Sequence, residues 1–166
     1  MRLLLTSMVL LMLCAACGES THPKPELITL TYTQSDIQKQ FDTLYHGQQA
    51  KAGVYAGLLE QALAVCHNVS ARDQQVTQDV YSSMYLNLKS GNYDCVTTTT
   101  FQFPDGTITA TGVFNLVPGA TIAPDHDFPI TGGSAAYQNI YGTYTRKYKD
   151  SVYHVELRYY KQHQED

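Results

Sequence analysis

Residues 93–103 place Tyr93, Cys95, Thr97, Thr99, Phe101 and Phe103 at every second position, with Asp94, Val96, Thr98, Thr100 and Gln102 between them. A period of two is what a pleated strand with two unlike faces requires. Pro104-Asp105-Gly106 then forms a tight hairpin turn: Pro fixes φ, Asp accepts a local hydrogen bond and Gly takes the left-handed position. The alternation resumes over residues 107–117, with Ile108, Ala110, Gly112, Phe114 and Leu116 on one face. Residues 140–148 and 151–160 predict a last hairpin about Lys149-Asp150. Its final strand sets Tyr153, Val155, Leu157 and Tyr159 against His154, Glu156 and Arg158. Residues 27–33 (LITLTYT) and about 76–88 are further strands, the second followed by a Ser90-Gly91-Asn92 turn, and residues 118–129 read as a loop.

Two segments carry the other period. Ile37, Phe41, Leu44 and Tyr45 fall on a helical stripe behind a Ser35/Gln38 capping box, so residues 35–45 read as a short helix or an irregular connection between strands. Residues 54–66 (VYAGLLEQALAVC) are rich in good helix formers and taken alone read equally as helix or strand. Many short strands at even spacing point to a sandwich or a barrel.

Composition narrows the class. Of 166 residues, 43% are apolar and 16% charged, so the chain can bury a core as one domain. Thirteen Tyr, five Phe and no Trp suit half-buried strand positions. A net charge of −4 offers no phosphate-neutralising surface, and nucleic acid is not an expected partner.

The first 17 residues stand apart. Arg2 precedes an apolar run over residues 3–13 that is too short to span a bilayer and reads as the core of a secretory signal. Ala15-Ala16-Cys17-Gly18 resembles a bacterial lipobox, with Cys14 where Leu is usual, and assigns lipidation to Cys17. Residues 18–26 (GESTHPKPE) are a flexible tether, residues 27–161 the folded domain and residues 162–166 a polar tail. The expected location is the periplasmic side of the outer membrane as a lipoprotein, or secretion if no lipid is added. An exported protein can oxidise Cys66 and Cys95. If the strands form a simple meander the two lie about 33 Å apart against the ~7 Å a bridge needs, which argues against a bond.

Three segments in order resemble one family. Asp105-Gly106-Thr107-Ile108-Thr109-Ala110-Thr111-Gly112-Val113-Phe114 is similar to the DGxIxxxGxF hairpin of the allene oxide cyclase-like and dirigent-like barrels. Ile130-Thr131-Gly132-Gly133-Ser134-Ala135-Ala136-Tyr137 with Gly142 resembles the ITGGTGxYxxxxG segment, although Ala135 stands where that run has glycine. Tyr93-Asp94-Cys95 matches the aromatic-x-Cys start, and Gly53-Val54-Tyr55 a Gly-Asp-aromatic strand start without its Asp. The similarity covers about residues 91–160. It implies an all-β fold, an eight-stranded antiparallel barrel with a lumen. It turns residues 54–66 into a strand and gives Gly132 and Gly133 a backbone role at a sharp reversal.

The resemblance does not extend to the cyclase's catalytic groups. Thr33 takes the acidic position on the first strand, Ser35 the Asn position, and no Pro follows. The Cys position falls near Met84, and Phe114 replaces the Tyr. A lumen without that acid implies binding of a small apolar or aromatic molecule, with Tyr55, Phe101 and Phe114 as lining candidates. The alternatives are an isomerase, cyclase or dirigent-like protein acting on a hydrophobic substrate, which needs a buried ionisable group facing the lumen, and a structural or partner-binding envelope module. An oligomer is compatible with each.

Other constellations read as ordinary structure. Asp125-His126-Asp127 is a solvated loop, His154 and Glu156 lie on an exterior face beside Arg158, and Cys66-His67 point apart. Thr97 to Thr100 reflect strand propensity. Tyr81, Tyr85, Tyr153 and Tyr159 are barrel wall or lumen lining. No metal site or cofactor is expected.

Overall fold

The alternation of residues 93–116 passes almost unchanged into a computed structural model that describes residues 24–162. The export signal, Cys17 and most of the tether lie outside the described residues. The strands are β1 (Glu26–Thr33), β2 (Ile37–Thr43), β3 (Gln49–Lys51), β4 (Val54–Tyr55), β5 (Gly57–Asn68) and β6 (Gln75–Leu86). There follow β7 (Tyr93–Phe103), β8 (Gly106–Leu116), β9 (His126–Ala135), β10 (Ile140–Lys149) and β11 (Val152–Lys161).

β5 to β11 run as an antiparallel meander, and β1 lies along β11 from Glu26 opposite Tyr159 to Thr33 opposite Val152. Closure comes from β1 meeting the end of β5 at Leu30–Asn68 and Thr31–His67, after which β2 takes over along β5 from Ile37–Ala64 to Thr43–Leu58. β1 and β2, joined by the single 3-10 turn Gln34–Asp36, share one place in the wall, so the barrel has eight strands. The turn is held by Asp36, whose carboxylate accepts from the Thr33 amide at 2.7 Å and the Thr33 hydroxyl at 2.8 Å. Among the described residues β2 is hydrogen-bonded on one side only, which opens the wall beside it.

The helical stripe expected over residues 35–45 is therefore a strand with a short turn at each end. The loop expected over residues 118–129 ends early, because β9 begins at His126 and includes Pro129. Pairing between β8 and β9 stops at Ala110–Ile130, so Pro129 has no partner on that side that would need its missing N–H. Residues 54–66 are extended rather than helical, but in two strands where the resemblance implied one: Val54–Tyr55 pairs with β3 outside the barrel sheet, and Gly57 onward forms β5.

Along β7 the inward positions divide the interior into layers. Phe101 and Phe103 belong to the main core with Leu30, Cys66, Val76, Ile108, Phe128, Tyr144 and Leu157. Tyr93 and Cys95 form a second apolar cluster with Met84, Leu58, Leu86 and Leu116 at the other end. Thr97 and Thr99 lie between. Cys66 sits opposite Val76 and Cys95 opposite Met84 on the same strand β6, and both thiols are free and buried. Burial pushes each thiol up to about 12, which keeps it protonated and inert.

Of the two glycines tied to a sharp reversal, Gly133 fits the role: a Cβ there would run into the Tyr137 carbonyl oxygen and stand 3.0 Å from that of Thr107. Gly132 has open space around it, so no clash explains it. Ala135 adopts φ 51, a left-handed position that glycine would take without strain.

Candidate functional site

The middle layer is where side chains become small. Ala62 and Ala64 on β5, Ser82 on β6 and Thr97 and Thr99 on β7 point inward between the two packed clusters. They leave a cavity of about 50 Å3, room for a few water molecules, that opens to the side of the barrel next to β2. The opposite wall is aromatic and charged: Tyr32, Phe114, His126, Arg146 and Tyr153, with Ile37, Lys39 and Glu60 nearer the mouth. Tyr32 and Tyr153 stack with centroids 4.7 Å apart, and His126 stacks on Phe114 at 5.2 Å and Phe128 at 4.3 Å.

Polar groups in this layer are mutually satisfied. Ser82 and Thr97 share a hydroxyl hydrogen bond of 2.9 Å. The Gln78 side-chain amide donates to the Tyr144 hydroxyl at 3.3 Å, and its carbonyl oxygen accepts from the Cys66 thiol at 3.8 Å. Gln78 thus ties the main core to the floor of the cavity.

The charged groups are the feature that the sequence reading lacked. Glu60 projects inward from β5, with Lys39 Nζ 3.8 Å from its carboxylate. Burial raises the Glu60 carboxyl above its usual range, against the opposing pull of Lys39, Arg146 and Ser82. A carboxylic acid does face the lumen, and the expectation of an acid-free barrel is corrected: it comes from β5, not from the first strand. Thr33 and Ser35, at the positions of the cyclase's acid and Asn, are bonded to each other at 2.7 Å on the exposed turn. Arg146 reaches in from β10, its guanidinium 5.2 Å above the Tyr153 ring. In both strands a period of two was there to be read: Leu58, Glu60, Ala62, Ala64 and Cys66 in β5, and Tyr144, Arg146 and Tyr148 in β10.

His126, expected in a solvated loop, is half-buried in the lumen wall, and Asp125 beside it accepts from the Tyr148 amide at 2.8 Å. Its Nδ1–H donates to the Pro124 carbonyl at 3.0 Å, which leaves Nε2 unprotonated in the neutral ring. Thr97 and Thr99, assigned to strand propensity alone, also line the cavity. Of the three lining candidates, Phe114 borders the cavity, Phe101 lies fully buried in the core beneath it, and Tyr55 sits in the short β3–β4 hairpin, where its carbonyl accepts from the Tyr93 hydroxyl at 2.8 Å. Tyr153 and Tyr159 face inward, whereas Tyr81 and Tyr85 are exposed on the outer face. Glu156 and Arg158 pair at 2.8 Å on the exterior, as read. Among the described residues no group of three metal-ligating side chains comes together.

These environments make stability depend on acid. Burial, reinforced by Arg146, pulls the His126 imidazole down to about 4 from 6.5. Between those values the unfolded chain binds the extra proton, so the stability contributed by neutral His126 is complete above 6.5 and is lost as pH falls towards 4. Glu60 acts in the opposite sense: its raised carboxyl contributes most below 4.5 and loses that contribution as pH rises through the folded value. His126→Phe is expected to flatten the fall in urea midpoint between pH 6.5 and 4.5. An unchanged slope would show that the imidazole is not held neutral.

Neither a family model nor a curated protein matches the sequence. Among solved structures, pyocyanin demethylase is similar over 81% of this chain and 100% of its own, with a TM-score of 0.53 and 19% identity. A Diels Alderase from Streptomyces koyangensis overlaps 88% of this chain and 72% of its own, at TM-score 0.48 and 15% identity. A pterocarpan synthase dirigent protein overlaps 89% and 92%, at TM-score 0.49 and 14% identity. The likeness to the demethylase is one of fold, the closed antiparallel barrel.

Proposed function

We propose that this barrel takes up a small aromatic or largely apolar molecule through the opening beside β2. Its ring lies against Tyr32, Tyr153 and Phe114, and its polar end among Glu60, Lys39 and Arg146. The observation that carries the reading is the middle layer of small side chains, which leaves an aromatic-walled space between two packed clusters. A barrel of eight strands is just wide enough for one small ligand. The demethylase of similar fold acts, as its name says, on pyocyanin, in keeping with a barrel that encloses a small molecule. The sequence of residues 1–17 adds the finer proposal that Cys17 carries lipid and holds the barrel at the periplasmic side of the outer membrane.

Native mass spectrometry of the chain purified from the cells that make it, followed by organic extraction, is expected to reveal a small-molecule adduct. Ala62→Leu, which fills the cavity, is expected to lose the adduct. A bare mass for the unaltered chain, or an adduct that survives Ala62→Leu, would overturn the reading.

A second reading, an isomerase or cyclase, is favoured by Glu60. A carboxyl held above its usual range in a lumen is poised to exchange a proton with a bound substrate. Glu60→Gln is then expected to keep the adduct and abolish its turnover.

A further inference from the structure

The least balanced group in the lumen is Arg146. Among the described residues no carboxylate oxygen comes within 4.0 Å of its guanidinium, and in the cavity Glu60 is paired instead with Lys39 at 3.8 Å. A guanidinium has five N–H donors in a planar fork. Here one nitrogen, Nη2, donates to the Pro124 carbonyl at 3.5 Å. Among the described residues no buried side-chain nitrogen or oxygen lacks a partner, so the donors of Arg146 that are left over are not sealed in protein, and the residue lines the cavity.

The charge around it is lopsided. Arg146 and Lys39 bring two cations to the cavity wall, and among the described residues Glu60 is the one carboxylate that lines it. Burial disfavours the ionised form of that carboxyl. His126 is held neutral by burial and by Arg146 itself. Asp125 is spent on the Tyr148 amide, and Asp127 does not line the cavity. A half-buried fork with spare donors, flanked by the Tyr32–Tyr153 stack and the Phe114–His126 stack, matches one ligand shape: a planar anion joined to a flat ring.

We propose that the lumen selects a single-ring aromatic carboxylate, whose two oxygens engage the Arg146 fork while its ring lies between the two aromatic stacks. This rests on the reading of the barrel as a small-molecule container and assigns the chemistry of its ligand. The cavity of about 50 Å3 is smaller than the whole ligand, which fills it and extends into the opening beside β2. Lys39, whose side chain is 32% exposed, adds a second positive charge there without closing the opening.

The test uses two probes of nearly equal size, benzoate and benzyl alcohol, titrated calorimetrically into the full chain. Benzoate is expected to bind at least about tenfold more tightly than the alcohol, the usual advantage of a charge-assisted pair. Arg146→Met is expected to weaken benzoate about tenfold or more and to change the alcohol less than about twofold. Arg146→Lys, which keeps the charge but not the fork, is expected to fall between. If Arg146→Met does not fold, the native comparison and Arg146→Lys decide. Equal affinity of the native chain for the two probes, or benzoate binding indifferent to both substitutions, overturns the anion inference and leaves the container standing. Failure of both probes to bind overturns both.

Discussion

Gly142→Ala is expected to yield no folded protein. Gly142 lies on the inner face of β10, opposite Tyr159 of β11 and Ile130 of β9. A Cβ built there would enter the space of the Arg158 carbonyl oxygen and stand 2.7 Å from the Tyr159 Cα. Both obstacles are backbone, so no rotamer change relieves them. β11 is also paired on its far side with β1, along the seam that closes the barrel, and cannot retreat without breaking that ladder. The cost exceeds about 4 kcal/mol, a large part of the roughly 5–15 kcal/mol that holds a domain together. Soluble yield and near-ultraviolet circular dichroism check it. A cooperative thermal transition near that of the unaltered chain would show that β10 and β11 are less closely set than described.

Phe101→Ala should fold but melt far earlier. The ring is fully buried and meets Tyr144 edge-on at 5.2 Å and 67°, and Tyr144 in turn receives the Gln78 amide. Removing it costs about 3–5 kcal/mol, the transfer of the ring plus the void left behind. At roughly 2–4 °C per kcal/mol for a chain of this size, the midpoint falls by about 10 °C. The void opens one inward position below Thr99, which lines the cavity, so a deeper pocket is gained in exchange for stability. A loss under about 1 kcal/mol would mean that this end of the barrel is not tightly filled.

How far the sequence could be read depended on whether a residue's spacing fits one period or two. β7 was legible to the residue, because six inward and five outward positions cannot be placed on a helix face. Ile37 and Phe41 are four apart, a spacing that serves a helical stripe and a strand face equally. Pairing with β5 decided the matter in favour of the strand. In β5 the helix-forming Leu, Glu, Gln and Ala hid the inward register of Glu60, since local propensity yields to a ladder with partners on both sides. His126 was masked by Pro124 and Pro129, which read as loop markers, but Pro124 only precedes β9 and Pro129 lies in its first half, which pairs with β10 and not with β8. The absence of an acid was inferred from one strand only, although a lumen is lined by all eight.

The half-paired strand β2 has a price of its own. A row of amide groups with nothing to bond invites a strand from another molecule to dock alongside and extend the sheet, the first step towards an aggregate. Gln38, Lys39, Gln40 and Asp42 make most of the exposed length of β2 polar and leave Phe41 as its one exposed large apolar side chain. The mostly hydrophilic dressing that keeps the doorway passable for a ligand thus also discourages neighbouring molecules from zipping on to it.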